Sequence, residues 1–203
     1  MSYLYKMEYE IIPKEAFKII RNCSGCGCKM SYCSTGNFRV NANGNQLDVW
    51  LIYQCQKCKH TYNLTIYERV KPTDLEPGEY QSFLENQSDT ALQYGLKKEI
   101  FSQNKAEIIW DDISYDIHLI SEKCHDKSEN NKISAKGLQN AEPEEKERFF
   151  VLNNPYGLKL RTDRLVADIL QISRNKVKKM IKDGTIEVKQ EESGKVIEFR
   201  MDK

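Results

Sequence analysis

The N-terminal third of the chain alternates between apolar and polar positions, which predicts β-strands. Strand-like runs cover residues 3–11, 38–42, 47–53 and 61–67. Asn43-Gly44 separates two of these runs and is typical of a tight hairpin turn. The pattern therefore predicts a small antiparallel sheet.

The middle of the chain has a helical period instead. A short helix is predicted around residues 80–84, and in a longer one Leu92, Leu96 and Ile100 repeat every four residues. Residues 113–119 alternate again as a strand. These elements predict a helical middle that ends in a strand.

The last part of the chain begins after a polar stretch. Residues 121–147 are acidic and have no period, which predicts a linker. A short strand and two helices follow, and the second helix is predicted to begin after Ser173 and to end at Gly184. Two strands come next, so this part reads as a small α/β module with two helices packed on strands.

Two pairs of cysteines interrupt the first strand pattern, and each pair has the spacing of a zinc-binding turn. They are Cys23 with Cys26 and Cys55 with Cys58. Two such turns at one end of a small sheet supply four thiolates at about 2.3 Å from a tetrahedral Zn²⁺. The pattern predicts a zinc ribbon with a closed structural site. Free thiols or a redox pair are the alternatives.

Three neighbours of these turns are further candidate ligands. Cys28 is left out of the predicted site because adjacent turn geometry does not easily place both Cys26 and Cys28 on one metal. Cys33 and His60 are more often bystanders than ligands at these offsets. Whether any of the three joins the site stays open. We find no Gly-rich phosphate loop and no Ser/His/Asp arrangement, so no catalytic residue and no enzyme is predicted.

The composition indicates an ordinary globular protein: 203 residues, 39% hydrophobic and 30% charged. No apolar run reaches the roughly 20 residues that cross a bilayer. Residues 1–6 lack the layout of a signal peptide. Seven cysteines without an export signal indicate a reducing compartment. We therefore expect a cytoplasmic protein that does not contact a membrane.

The net charge of +1 hides an uneven distribution. Residues 1–72 carry ten Lys/Arg against five Asp/Glu, and residues 73–147 carry eight against seventeen. Residues 158–189 carry nine against four. The two basic parts are the expected places for contact with a polyanion. The alternative is that they are solvated faces that keep the protein in solution.

Part of the C-terminal region resembles a known RNA-binding module. The resembling stretches are residues 160–165, 172–174 and 180–188. They are similar to the alpha-L module of the small-subunit ribosomal protein S-four superfamily, although Thr162 stands where a leucine is usual and no Asn-Gly follows the strand. The resemblance implies that five cations face structured RNA through phosphate and shape recognition. They are Arg161, Arg164, Arg174, Lys178 and Lys182.

A DNA helix-turn-helix is the competing interpretation of the same helices. Residues 170–174 also suit its turn and the start of its recognition helix. The alpha-L interpretation is favoured because Arg161 and Asp163 precede the first helix and a strand follows Gly184 at once. A third possibility is an adaptor that binds a protein partner through the edge of the zinc ribbon.

Residues 1–120 as a whole resemble the uncharacterised bacterial family called domain of unknown function 1062. The stretches that carry the resemblance are residues 23–27, 37–43, 47–53, 55–58 and 69–72. The family has no known activity, so the resemblance implies the organisation of the chain and leaves its function open.

Together these observations predict an α+β fold with an N-terminal antiparallel zinc-ribbon-like sheet, a helical middle and a C-terminal small α/β module. The predicted domains are a zinc-ribbon-like domain at 1–72, a helical and strand segment at 73–120, a polar acidic linker at 121–147 and an alpha-L-like domain at 148–203. The predicted function is that of a non-enzymatic protein with structural zinc. It is expected to bind structured RNA or the ribosome, and no small-molecule substrate is evident.

Overall fold

The computed structural model describes residues 3–126, 147–191 and 193–201. The strands are β1 Tyr3–Pro13, β2 Ile19–Cys23, β3 Cys28–Asn43, β4 Gln46–Cys55, β5 Thr61–Val70, β6 Glu107–Ile108, β7 Tyr115–Asp126, β8 Glu147–Asn153, β9 Ile186–Gln190 and β10 Val196–Met201. The helices are α1 Glu79–Leu84, α2 Ser88–Tyr94, α3 Lys98–Gln103, α4 Thr162–Leu170 and α5 Arg174–Lys182, with a 3₁₀ turn at Pro72–Asp74. Among the helices in these described ranges, none is both long and apolar enough to cross a membrane.

The fold is predominantly β, so the predicted α+β class is wrong. Strands from both ends of the chain join one sheet, because β1 pairs in parallel with β8 and places Tyr5 opposite Arg148. The predicted separate α/β module is corrected as well, since β9 and β10 complete this same sheet. Periodicity identifies a strand but does not identify a partner that lies far away in sequence.

The chain divides into two compact units. We call residues 1–12 with 116–203 the terminal unit and residues 13–115 the inserted unit. The inserted unit lies in sequence between β1 and β7, which are neighbours in the sheet of the terminal unit. Within the inserted unit, the Lys14 N–H donates to the Ser114 carbonyl at 2.9 Å. This hydrogen bond joins the points where the chain enters and leaves the unit.

The inserted unit contains a five-stranded sheet in the order β5-β4-β3-β2-β6. It replaces the predicted small zinc-ribbon-like sheet. Val49, Leu51 and Tyr53 are fully buried on one face of β4. The helices pack through aromatic rings, with the Phe38 and Phe83 centroids 4.8 Å apart. This core fixes the strands whose ends carry the cysteines.

The longer helix predicted from the repeat of Leu92, Leu96 and Ile100 is two short helices, α2 and α3. The break follows Gly95, where the chain approaches another segment closely. A Cβ on Gly95 would lie only 2.3 Å from the Cβ of Ala16. The Phe17 N–H donates to the Gly95 carbonyl at 2.8 Å, so this carbonyl serves a tertiary contact. The helical period alone does not reveal such a contact.

The terminal unit contains the second five-stranded sheet, in the order β7-β1-β8-β10-β9. The rings of Phe150 and Phe199 stack in its core with centroids 4.3 Å apart. The Ser173 hydroxyl accepts from the Lys176 N–H and caps α5. Residues 121–126 of the predicted linker belong to β7, and residues 127–146 lie outside the described residues.

Candidate metal centre

The four cysteines lie at two hairpins at one end of the inserted-unit sheet: Cys23 and Cys55 end their strands, and Cys26 and Cys58 lie in the loops that follow. The first cysteine loop, residues 24–27, joins β2 to β3, and the second cysteine loop, residues 56–60, joins β4 to β5. Neighbouring strands here are antiparallel. Alternate hairpins of an antiparallel sheet therefore fall at the same end. The strand order, rather than the loops themselves, brings the two cysteine pairs together.

The four sulfurs of Cys23, Cys26, Cys55 and Cys58 lie within 4.8 Å of one another and can hold a metal ion. The Sγ atoms of Cys23 and Cys58 are 3.3 Å apart, and those of Cys26 and Cys55 are 4.0 Å apart. Four thiolates at about 2.3 Å from a tetrahedral metal stand about 3.8 Å from one another. The donor set and its spacing fit such an ion.

The two loops have the same backbone design. The residue after the second cysteine is left-handed in both, with φ of 69° at Gly27 and 64° at Lys59. The N–H of each donates to the carbonyl of the first cysteine of its own loop, at 2.8 Å for Gly27 and 3.1 Å for Lys59. Gly25 has a steric role, because a Cβ there would lie 3.0 Å from the Cys58 sulfur. Both loops therefore fold the chain tightly around the sulfurs.

The pKa values of the four thiols are shifted in different directions. A hydrogen bond from the Tyr32 hydroxyl lowers the pKa of Cys23 to about 6. The pKa of Cys55 is lowered by the backbone N–H of Cys58. Cys26 is the opposite case, because hydrogen bonding to the Cys58 sulfur and burial raise its pKa to about 12. The pKa values of Cys23 and Cys55 are thus shifted in the direction of the thiolate form that a metal ligand needs.

The neighbouring candidates lie outside this group of described side chains. The Cys28 thiol is exposed and donates to the Met30 thioether at 3.7 Å, while the Cys33 thiol is 3.9 Å from the Gln54 carbonyl. His60 places Nε2 2.9 Å from the Ser24 hydroxyl, which links the two cysteine loops. These three side chains therefore have partners other than the cluster.

The five predicted nucleic-acid-binding cations lie on or beside α4 and α5, but only three of them meet. Arg161, Arg174 and Lys178 surround the Asp163 carboxylate, at 3.3, 3.0 and 3.8 Å. The Arg164 Nε lies 3.9 Å from an Asp168 carboxylate oxygen. The fifth, Lys182, is exposed in the last turn of α5.

Asp163 is the residue at this surface whose role the sequence did not reveal. Its carboxylate is only 14% exposed, and the hydrogen bond from Arg174 holds its pKa below the usual range. The signal in the sequence was present, because an aspartate stands in the first turn of α4. The pattern did not show that the second helix would bring two cations to it. Asp163 partly neutralises the predicted surface.

A polar cleft of about 590 Å³ lies between the start of α1 and α2. The Glu79 carboxylate there accepts from the hydroxyls of Tyr67 and Tyr94, and Tyr94 is 4% exposed. The Glu76 N–H donates to the other carboxylate oxygen at 3.2 Å. These groups satisfy one another and fasten α1 to the sheet, so we assign the cluster a structural role.

The fold and the site define a predominantly β protein with a four-cysteine cluster at the end of one of its two sheets. The family model described as "Protein of unknown function (DUF1062)" matches residues 40–192, which is most of the chain. The chain therefore belongs to this family. The match includes the second cysteine loop, extends well past residue 120 and begins after the first cysteine loop. No curated protein and no solved structure matches the chain.

Proposed function

We propose that this chain is a zinc protein in which Cys23, Cys26, Cys55 and Cys58 bind one Zn²⁺ as thiolates. The observation that carries the proposal is the approach of their four sulfurs to within 4.8 Å of one another. Zinc is preferred because it takes four thiolates in tetrahedral geometry. The ion ties the two hairpin loops together at one end of the sheet.

The proposed zinc is structural. Four protein ligands fill a tetrahedral shell and leave no position for a substrate or for an activated water. Cys23 and Cys55 are also buried, at 1% and 0% exposure. We accordingly propose that the protein is not an enzyme and that the ion stabilises the loop end of the sheet.

The test is the metal content of the full chain as purified, with matched cysteine variants. About one zinc per chain is expected for the wild-type protein. Cys23→Ser removes a ligand and is expected to lose the metal, whereas Cys28→Ser, in a thiol beside the same loop, retains it. The proposed ligands should react with a thiol reagent only after chelation.

Two results would contradict the zinc proposal. One is full metal content in Cys23→Ser, and the other is rapid reaction of all seven cysteines before any chelator is added. Equal loss of metal in Cys23→Ser and Cys28→Ser would show a different ligand set. Unfolding of either variant is checked by circular dichroism on the same samples.

A second candidate function is binding of structured RNA or the ribosome through the helix pair. Support comes from α5, which exposes Arg174, Lys178 and Lys182 at intervals of four residues along one side. Residues four apart on a helix are neighbours, so these cations form a stripe. Such a stripe binds phosphates in a salt-dependent way. The implied alpha-L module and its RNA partner belong to this proposal.

The RNA proposal is tested with a labelled RNA hairpin and the full chain in a series of salt concentrations. The double variant K178E/K182E should weaken binding and flatten its salt dependence. K176E/K179E is the matched control, since these lysines lie on another side of the same helix. Equal losses in both variants would point to net charge alone. Absence of salt-sensitive binding contradicts the proposal, and tighter binding to duplex DNA favours the helix-turn-helix regulator. The adaptor alternative would require a protein partner instead.

A further inference from the structure

Cys28 stands directly opposite Cys23, which is one of the proposed zinc ligands. The strands β2 and β3 are antiparallel, and their register pairs Cys23 with Cys28. Directly opposite residues of such a pair point their side chains to the same face of the sheet. The sulfur of Cys23 belongs to the four-cysteine cluster, whereas that of Cys28 does not. A thiol outside the cluster is therefore the cross-strand neighbour of a thiol inside it.

The backbone positions of Cys23 and Cys28 suit a disulfide bond. Opposite residues of antiparallel strands have Cα atoms about 4.5–5.5 Å apart, and a disulfide accepts Cα separations of about 4.4–6.8 Å. The Cys28 thiol donates to the Met30 thioether at 3.7 Å, which is a weak hydrogen bond because both partners are sulfur. Rotation of the Cys28 side chain away from Met30 would thus bring its sulfur to Cys23 while the strands keep their pairing.

The two thiols differ in their access to solvent. Cys28 is exposed, whereas Cys23 is buried with 1% of its surface exposed. The susceptibility of a thiol to oxidation rises with its exposure, so an oxidant dissolved in water meets Cys28 before it meets Cys23. Cys33 also lies outside the cluster, but it is on the opposite face of β3 because side chains alternate along a strand. Cys33 is therefore not placed to react with Cys23.

We propose that Cys28 is an oxidation site at which hydrogen peroxide releases the proposed zinc. The Cys28 sulfur attacks one peroxide oxygen and the O–O bond breaks, which leaves a sulfenic acid at Cys28 and one water. The Cys23 thiolate then attacks the sulfenic sulfur, so that an S–S bond forms and hydroxide leaves. The two sulfurs together lose two electrons, and the peroxide gains them.

The consequence is the loss of one ligand. The ion keeps three of its four thiolates and is held more weakly, because a closed structural site depends on all four. This inference rests on the proposed function and adds the regulation of the same site by oxidation. Cys58 is also exposed, so direct attack of peroxide on the cluster is the competing route.

The experiment treats the zinc-loaded full chain with hydrogen peroxide and follows zinc release with a coloured chelator. Cys28→Ser should release zinc at least about tenfold more slowly than the wild-type chain. Cys33→Ser is the matched control and should release zinc at the wild-type rate. Zinc content before peroxide is added shows that each variant is folded and loaded. In the wild-type chain, differential alkylation before and after reduction, read by tandem mass spectrometry, should find Cys23 and Cys28 oxidised together while Cys26 stays free.

Two results would overturn the inference and leave the proposed zinc site standing. One is equal zinc release by the wild-type chain and Cys28→Ser. The other is a first disulfide between Cys23 and Cys58 in the zinc-loaded wild-type chain, because peroxide then attacks the cluster directly. The second result is read from the wild-type chain alone and does not depend on the behaviour of a variant. A wild-type chain that carries no zinc before peroxide is added overturns the proposed function and this inference together.

Discussion

The cysteine loops and the α4–α5 helix pair are the two polar regions of the molecule with candidate functions, and they are built in opposite ways. The cysteines converge from two hairpins whose positions depend on the pairing of four strands, as where Tyr32 lies opposite Cys55. The cations of the helix pair come from two helices that follow one another in the chain, α4 and α5, and from the residue before α4. Asp163 then draws three of them together. Long-range strand pairing concentrates one chemical group at the cysteine loops, whereas the packing of α5 beside α4 places opposite charges side by side.

This difference has an energetic consequence. In the proposed zinc protein, the stability of the cysteine site depends on an ion from outside the chain, because four thiols at this spacing gain most when a metal replaces their protons. The helix pair already has its partners within the chain. Exposed ion pairs of this kind contribute little to stability. We therefore expect perturbations of the cysteine loops to have the larger effects.

The largest effect is expected from Cys55→Ser, which removes a fully buried thiol that is one of the proposed zinc ligands. Loss of the metal should lower the free energy of unfolding by more than about 4 kcal/mol. Cys33→Ser, a half-buried thiol outside the cluster, should change it by about 1 kcal/mol or less. Chemical denaturation of both variants with and without a chelator provides the measurement. If the two variants lose similar stability, the cysteine loops are not held by a metal.

Substitutions at the two left-handed residues of the cysteine loops should have smaller effects on stability, and these effects should have opposite signs. Gly27→Ala adds a Cβ to a residue with φ of 69° and should lower the free energy of unfolding by about 1–2 kcal/mol. Lys59→Gly removes the Cβ from a residue with φ of 64°, so it should leave the stability unchanged or raise it by up to about 1 kcal/mol. Thermal unfolding of the zinc-loaded chain would show the signs. Destabilisation by Lys59→Gly would contradict the shared loop design.

Ser173→Ala should lower the stability of the helix pair by about 1 kcal/mol, because the Ser173 hydroxyl caps the N-terminus of α5. Metal content should stay the same, because the cysteine cluster is formed by other strands. Hydrogen exchange of the α5 amides, measured beside zinc content, tests both parts. Release of zinc from this variant would show that the two regions are coupled.

The smallest effect is expected from Asp163→Asn, and it depends on pH. Arg174 holds the pKa of Asp163 below its usual range, so the ionised carboxylate stabilises the folded chain at neutral pH. This contribution is lost as the pH falls below about 4 and through the lowered pKa. The variant should therefore be slightly less stable than the wild-type chain at neutral pH. Its free energy of unfolding should also depend less on pH in the acid range. Identical pH profiles would show that the ion pairs contribute nothing.

Asp163→Asn also tests the helix pair as an RNA-binding surface. Removing a carboxylate from among Arg161, Arg174 and Lys178 raises the local positive charge, so RNA should bind more tightly if this face is the contact. If RNA binds at another surface, the affinity should change little. Anisotropy with the same RNA hairpin distinguishes the two.

Features encoded within a few residues could be predicted from the sequence. The Cys-x-x-Cys spacing singled out the four cysteines that the structure clusters, because a tight turn needs only its own residues. Ser173 was identified as a helix cap for the same reason. The predicted α+β class failed because a strand period does not name a partner. The break between α2 and α3 was missed because it depends on contact between Gly95 and Ala16.

The sequence by itself indicated strand runs such as 47–53 and 61–67, the turns that carry the four cysteines and the stretches where cations concentrate, but it did not predict β2 or the first part of β3. Only the tertiary structure decided that β1 joins β8, that both cysteine loops fall at one end of a sheet and that Asp163 neutralises cations of α5. The physical reason is the range of the interactions. Turns, caps and periodicity depend on neighbouring residues, whereas strand pairing and ion pairing between elements depend on the arrangement of the whole chain.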